Sequence, residues 1–276
     1  MKTTSFLFTF LIIFIVAPLF SQNGHFNIAG ARASALGNTG VNFRDIQSVF
    51  SNQAGLARLE NAAATVFGQQ RFLLQELQQV GFGAALPTNS GTIGLNVQYF
   101  GNESYNEQKI GLAYGRKLME KLSIGAQMNV LRTSIPEYGS LSTFTFELGL
   151  QSDINSQISL AAHLFNPLRL ETVEGEILPT VLTLGAAYRP TPLTAVFLEL
   201  EKDVSRPLMV KSGIEYQIVE ALKLRTGIAT NPTLFSFGLG LDMKKGPLID
   251  IAASYHQLLG FSPTAGLTYR FSKSEK

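Results

Sequence analysis

The sequence predicts an all-β chain: a transmembrane, antiparallel up-and-down β-barrel of about 14 strands with a short N-terminal helical plug. Three observations predict it. From about residue 62 the chain falls into segments in which apolar residues alternate with small or polar ones, the period of a strand whose two faces meet different surroundings. These segments run to about nine to thirteen residues, enough to cross a bilayer at a tilt near ~45°. Charged residues are only 15% of the 276, against about 25% in a soluble domain.

Residues 1–21 read as a secretory signal. Lys2 gives a positive start, Phe6 to Phe20 form an apolar run, and small Ser21 suits the cleavage position. A bilayer-spanning helix needs about twenty apolar residues, more than this run offers. Residues 22–61 follow as the plug segment. Ala31, Ala33 and Ala35, with glycines at 30, 37 and 40, permit close backbone packing, and Ile46, Val49, Phe50 and Leu56 form an apolar helical face. A periplasmic arm or a disordered leader is the alternative for this segment.

The barrel occupies residues 62–272, ahead of a tail at 273–276. Its expected strands are 62–72, 76–86, 91–101, 107–117, 121–133, 142–152, 156–165, 179–190, 193–202, 207–218, 221–230, 233–245, 247–258 and 262–272. In one of them Phe144, Phe146, Leu148 and Leu150 share a face opposite Thr145, Glu147 and Gly149. Breaker clusters such as Pro87-Thr88-Asn89-Ser90-Gly91 and Pro190-Thr191-Pro192 separate the runs and make neighbours hairpin partners. The longest breaks, Ser134 to Leu141 and Asn166 to Leu178, are expected to be outer loops. A soluble β-sandwich alternates too, but its solvent face would be rich in Lys and Glu. Here the second face is mostly Gly, Ala, Ser, Thr, Asn and Gln, which suits a crowded lumen. Tyr114, Tyr188, Tyr216, Tyr255, Tyr269 and Phe271 fall near strand ends, where an interfacial aromatic girdle belongs, although Trp is absent.

Residues 30 to 57 begin Gly30-Ala31-Arg32-Ala33-Ser34-Ala35-Leu36-Gly37 and continue to Asn52-Gln53-Ala54-Gly55-Leu56. This resembles the N-terminal signature of the FadL-like superfamily, within it the PorV/PorQ branch associated with type IX secretion. Gly30, Arg32 and Gly37 fall in the first half of the motif and Asn52 and Gly55 in the second, with Arg44 and Asp45 between them as residues that could pin a plug. Gln53 stands where the family has proline. Gly266 to Phe271 is similar to the terminal-strand signal of barrel-assembly substrates. The resemblance implies a monomeric barrel in the bacterial outer membrane, in contact with its lipids. It also implies a non-enzymatic docking or accessory role in type IX secretion, with secretion-system proteins or exported cargo as partners. The alternative it implies is a FadL-like uptake transporter for a hydrophobic ligand.

Ionisable residues in the expected lumen phase are Glu147, His163, Arg189, Glu199, Glu201, Lys211, Glu215, Lys223, Arg225, Asp242, Asp250, His256 and Arg270. They form either a charged constriction or head-group site, or a set of paired charges that holds the plug. The mixture of signs favours pairing. A net charge of +2 gives no field to attract nucleic acid. The absence of cysteine excludes disulfides and thiolate chemistry. Three scattered histidines and the absence of a GxSxG motif point to no metal, no cofactor and no catalytic residue.

Overall fold

A computed structural model describes residues 29–170, 178–243 and 246–271. The expected signal segment, the tail and residues 171–177 of the expected outer loop lie outside these residues. Fourteen strands follow an N-terminal segment built from a short helix, α1 (Ala31–Ala35), and the 3-10 turns Ile46–Phe50 and Gln53–Arg58. The strands are β1 (Ala63–Gln70), β2 (Gln78–Pro87), β3 (Thr92–Gly101), β4 (Asn106–Met119), β5 (Leu122–Ile135), β6 (Gly139–Asp153) and β7 (Ile158–Phe165). They continue as β8 (Val181–Thr191), β9 (Thr194–Asp203), β10 (Met209–Val219), β11 (Leu222–Ala229), β12 (Leu234–Asp242), β13 (Leu248–His256) and β14 (Gly260–Arg270).

Each strand pairs antiparallel with its sequence neighbours, and β1 closes the cylinder against β14 with Ala63 opposite Arg270. Closure leaves no open edge, which hydrocarbon would not tolerate because it offers no hydrogen bonds to a bare strand. The strand pattern appears directly as burial: β6 alternates exposed Phe144, Phe146, Leu148 and Leu150 with buried Thr145, Glu147 and Gly149. The exposed face is apolar all round the barrel and is the lipid face.

Up-and-down order puts the start of β1 and the end of β14 at one rim, together with the short turns at 120–121, 192–193 and 220–221. The opposite rim carries the longest connections, 71–77 and 166–180. Short turns mark the periplasmic side of such barrels and longer loops the outside. Tyr114, Tyr188, Tyr216, Tyr269 and Phe271 all face outward near the periplasmic rim, where they form one aromatic band. Tyr255 lies at the outer rim, 4.9 Å from Phe261.

The structure departs from the sequence expectations in three places. Ser134 to Leu141 is not a loop: β5 and β6 stay paired out to Ile135 opposite Gly139, leaving only 136–138 to turn. Beyond the bilayer a hairpin needs no apolar face, so its polar composition resembled a break. The first strand ends at Gln70, because Phe72 and Leu73 take positive φ of 54° and 60° and turn the chain across the mouth. The apolar residues between Ile46 and Leu56 lie on two 3-10 turns instead of one helix face.

Closure also fixes behaviour in detergent. Unheated protein is expected to run as a compact band on a denaturing gel and to shift on boiling, since the ladder must be melted before the chain unfolds. Identical mobility with and without heating would contradict a closed barrel.

Candidate functional site

The N-terminal segment fills the lumen. Ile46, Val49, Phe50 and Leu56 form one buried cluster with Ala63, Phe67, Ala85 and Ala113 of the wall. Leu36 and Phe43 form a second with Ala187, Ala195 and Phe197. The Phe50–Phe67 and Phe43–Phe197 rings meet edge to face at 5.2 and 5.7 Å. Burying such side chains contributes about 1.5–3 kcal/mol each. Small wall residues make the space: a Cβ on Gly149 would lie 2.0 Å from Asn52 Oδ1, and one on Gly83 would lie 2.7 Å from Val49 Cγ1.

The motif residues hold this plug in shape. Gly30 and Gly37 have φ of 101° and 70°, which favour glycine, and a Cβ on Gly37 would strike the Ile228 carbonyl at 2.6 Å. Gly55 passes under Phe43, where a Cβ would lie 2.1 Å from its carbonyl oxygen. Asp45 Oδ1 accepts from Gln47 N at 2.9 Å and caps one turn. Asn52 Oδ1 accepts from Ala54 N at 3.2 Å and caps the other, while its Nδ2 donates to Val41 O at 2.9 Å and Leu150 O at 3.2 Å.

Four ionic groups tie plug to wall. Arg32 pairs with Asp45 and forks onto Glu215 with two bonds of 2.9 Å; Glu215 also accepts from Arg225 Nε at 2.7 Å, and Arg225 reaches Asp250 at 2.5 Å. Arg44 and Arg58 share Asp153. Buried Glu147 pairs with Lys109 and accepts from His163 Nε2 at 3.1 Å and Gln53 Nε2 at 2.8 Å. Buried Glu199 accepts from Gly40 N at 2.6 Å and Val41 N at 2.7 Å, and Lys211 beside it donates to Glu201 at 2.6 Å. Asp242 and Arg270 pair apart from these at the periplasmic rim. Arg189 bonds to Ser159 Oγ at 3.0 Å and the Asn42 carbonyl at 3.4 Å. Lys223 lines a periplasmic recess, and His256 sits at the outer rim, where Nδ1 accepts from Leu258 N and Leu259 N at 3.1 Å.

Above the plug, the outer mouth opens into a cup of about 280 Å³. Its apolar wall is Phe72, Val181, Pro207, Met209, Pro232 and Leu234, and plug residue Asn38 belongs to its lining. Two of its cations are paired within the protein: Arg206 lies 3.5 Å from Asp203 and Lys211 binds Glu201, while Arg71 donates to the neutral Gln79 Oε1 at 3.0 Å and stacks on Phe100. Burial pulls the pKa of Arg71 below the ordinary arginine value, with Glu107 partly opposing it. Asn38, Glu201 and Lys211 also line an inner cavity of about 50 Å³, whose other walls include Lys109, Glu147, His163 and Glu199. An apolar molecule the size of benzene occupies a cavity of about 150 Å³. The cup accommodates such a molecule and the inner cavity does not.

Sequence reasoning missed Lys109, Asp153, Arg58, Gln151 and Asn38. Lys109 was visible in principle, because it shares the phase of buried Glu107 and Gly111 opposite exposed Ile110 and Leu112. Asp153 falls in the break between the expected strands 142–152 and 156–165, but it ends β6 and binds two plug arginines. Gln151 donates to the Val41 and Phe43 carbonyls at 2.9 and 2.8 Å, a role that strand periodicity cannot specify.

Fold and site together define the class: an outer-membrane β-barrel of fourteen strands whose lumen is filled by its own N-terminal segment. Solved structures similar to it in fold include hydrocarbon channels and a FadL homologue. The chain is similar to the Pseudomonas putida toluene transporter TodX, with a TM-score of 0.69 at 11% identity, covering 90% of this chain and 98% of that one. The Ralstonia pickettii toluene transporter TbuX gives 0.67 at 13% identity over 89% and 99% of the two chains. A Pseudomonas aeruginosa FadL homologue gives 0.62 at 11% identity over 87% and 96%. No protein-family model matches the sequence, and no curated protein matches it.

Proposed function

We propose that this protein is an uptake channel for small, uncharged hydrophobic compounds, which enter the outer cup and pass inward when the plug moves. The observation that carries this reading is the cup itself: about 280 Å³ in volume, mostly apolar, with Arg206 and Lys211 already paired to Asp203 and Glu201 and Arg71 held against Gln79 and Phe100. A ligand without charge loses nothing to those pairs, and burial of its apolar surface drives binding. The inner cavity of about 50 Å³ is too small for such a ligand, so it passes either by movement of the plug or through the wall above it, and we take movement of the plug as the route. Structural neighbours described as toluene transporters support this reading over a docking role in type IX secretion.

The test is uptake of radiolabelled toluene by cells carrying the protein in their outer membrane. Met209→Arg places an unmatched charge in the cup and is expected to reduce uptake by about tenfold, the factor that corresponds to ~1.4 kcal/mol of lost binding. Lys117→Gln, on the exposed periplasmic end of β4, is expected to leave it unchanged. Equal uptake by wild type, Met209→Arg and cells lacking the protein would end the proposal.

A further inference from the structure

We propose that the periplasmic mouth of the barrel holds a site for an oxyanion, a phosphate or carboxylate group, centred on Arg189 and Lys223. A recess of about 460 Å³ opens there between the ends of β8 to β11 and the plug. It is lined by three cations, Arg32, Arg189 and Lys223, and by one carboxylate, Glu215. That carboxylate is spoken for: Arg32 occupies both of its oxygens and Arg225 adds a bond of 2.7 Å.

Among the described residues, no carboxylate lies within ion-pair distance of Arg189 or Lys223. The two hydrogen bonds that Arg189 makes go to a hydroxyl and a carbonyl, which are neutral groups. The cations Arg44 and Arg32 act on it from nearby; Asp153 and Glu215 act in the opposite sense, but Asp153 is shared by Arg44 and Arg58 and Glu215 by Arg32 and Arg225. A guanidinium has five donor hydrogens in a planar fork suited to an oxyanion, and only two of these bonds are used here. The ring of Phe197, 5.7 Å away, backs the guanidinium and restricts its orientation. Lys223 supplies a second point charge from β11, and Thr194 and Gln217 line the same recess with neutral hydrogen-bonding groups. An anion there would cancel a partly buried positive excess that the protein leaves uncompensated.

This site lies at the opposite end of the barrel from the outer cup and does not rest on the transport reading. A small free anion and the head group of an anionic lipid in the inner leaflet share the required chemistry. The full-length protein in detergent would be dialysed to equilibrium against radiolabelled inorganic phosphate. In parallel, nanodiscs of mixed phosphatidylglycerol and phosphatidylcholine would be scored by native mass spectrometry for the lipid retained. Saturable binding of phosphate, or selective retention of phosphatidylglycerol, is expected, weakened about tenfold by Arg189→Gln and by Lys223→Gln. Glu137→Gln, in the exposed turn between β5 and β6 at the far mouth, should bind as wild type. Lys223→Gln breaks no ion pair, so its heat-shifted gel band should be normal and its loss of binding specific. Phosphate binding alone would identify a free-anion site and phosphatidylglycerol retention alone a head-group site. Absence of both, or binding that survives both glutamine variants, would overturn the proposal.

Discussion

Replacing Glu147 with alanine is expected to lower the unfolding free energy by about 3–5 kcal/mol, the usual cost of stranding one member of a buried ion pair. Its carboxylate is 1% exposed and pairs with Lys109, whose side chain is itself only 4% exposed. Asn129 Nδ2 adds a bond of 3.0 Å and Gln53 Nε2 one of 2.8 Å, so β4 to β7 and the plug converge on one group. Removing it leaves a buried ammonium and several amide donors without an acceptor. Urea unfolding in lipid, followed by the heat-shifted gel band, would read the loss. The double variant Lys109→Met with Glu147→Leu removes both charges and is expected to recover most of the stability, because apolar replacements of a buried pair are often neutral or better. If the alanine variant unfolds at the wild-type urea concentration, the network is not what seats the plug.

That network also shows how far the sequence could be read. Periodicity located all fourteen strands because a lipid-facing strand must present an apolar side chain at every second position, and the opposite phase then faces the lumen. The same rule placed Glu147, Glu199, Lys211, Glu215 and Arg225 in the lumen phase, where the structure buries them. Partnership was not legible. Whether Arg32 meets Glu215 or Asp153 depends on a plug path built from short turns, and a 3-10 turn leaves no long-range period to follow. Gln53 is instructive: it stands where the resembled family has proline, and its side chain is fully buried and donates to Glu147. Proline there would have no such donor. The inward turn at Phe72 was equally hidden, since nothing in the local composition announces a positive φ at a bulky residue.

A covalent lock between plug and wall is expected to abolish uptake reversibly. An ideal Cβ on Gly266 of β14 lies 3.2 Å from Ala31 Cβ on α1, close to the ~3.5–4.5 Å spacing of a disulfide. The chain has no cysteine, so the pair Ala31→Cys and Gly266→Cys has no competing thiol. The small inner cavity means that a ligand leaving the cup must displace the plug or cross the wall above it. With α1 tethered, displacement of the whole plug is blocked while the wall and the cup are untouched. Toluene uptake should fall by about tenfold or more in the oxidised protein and return on reduction, as gating by a moving element requires. Each single cysteine variant should transport as wild type under both conditions, which separates tethering from any packing change at Gly266. Full uptake by the oxidised double variant would show that α1 stays seated during transport, and the route would then run through the barrel wall.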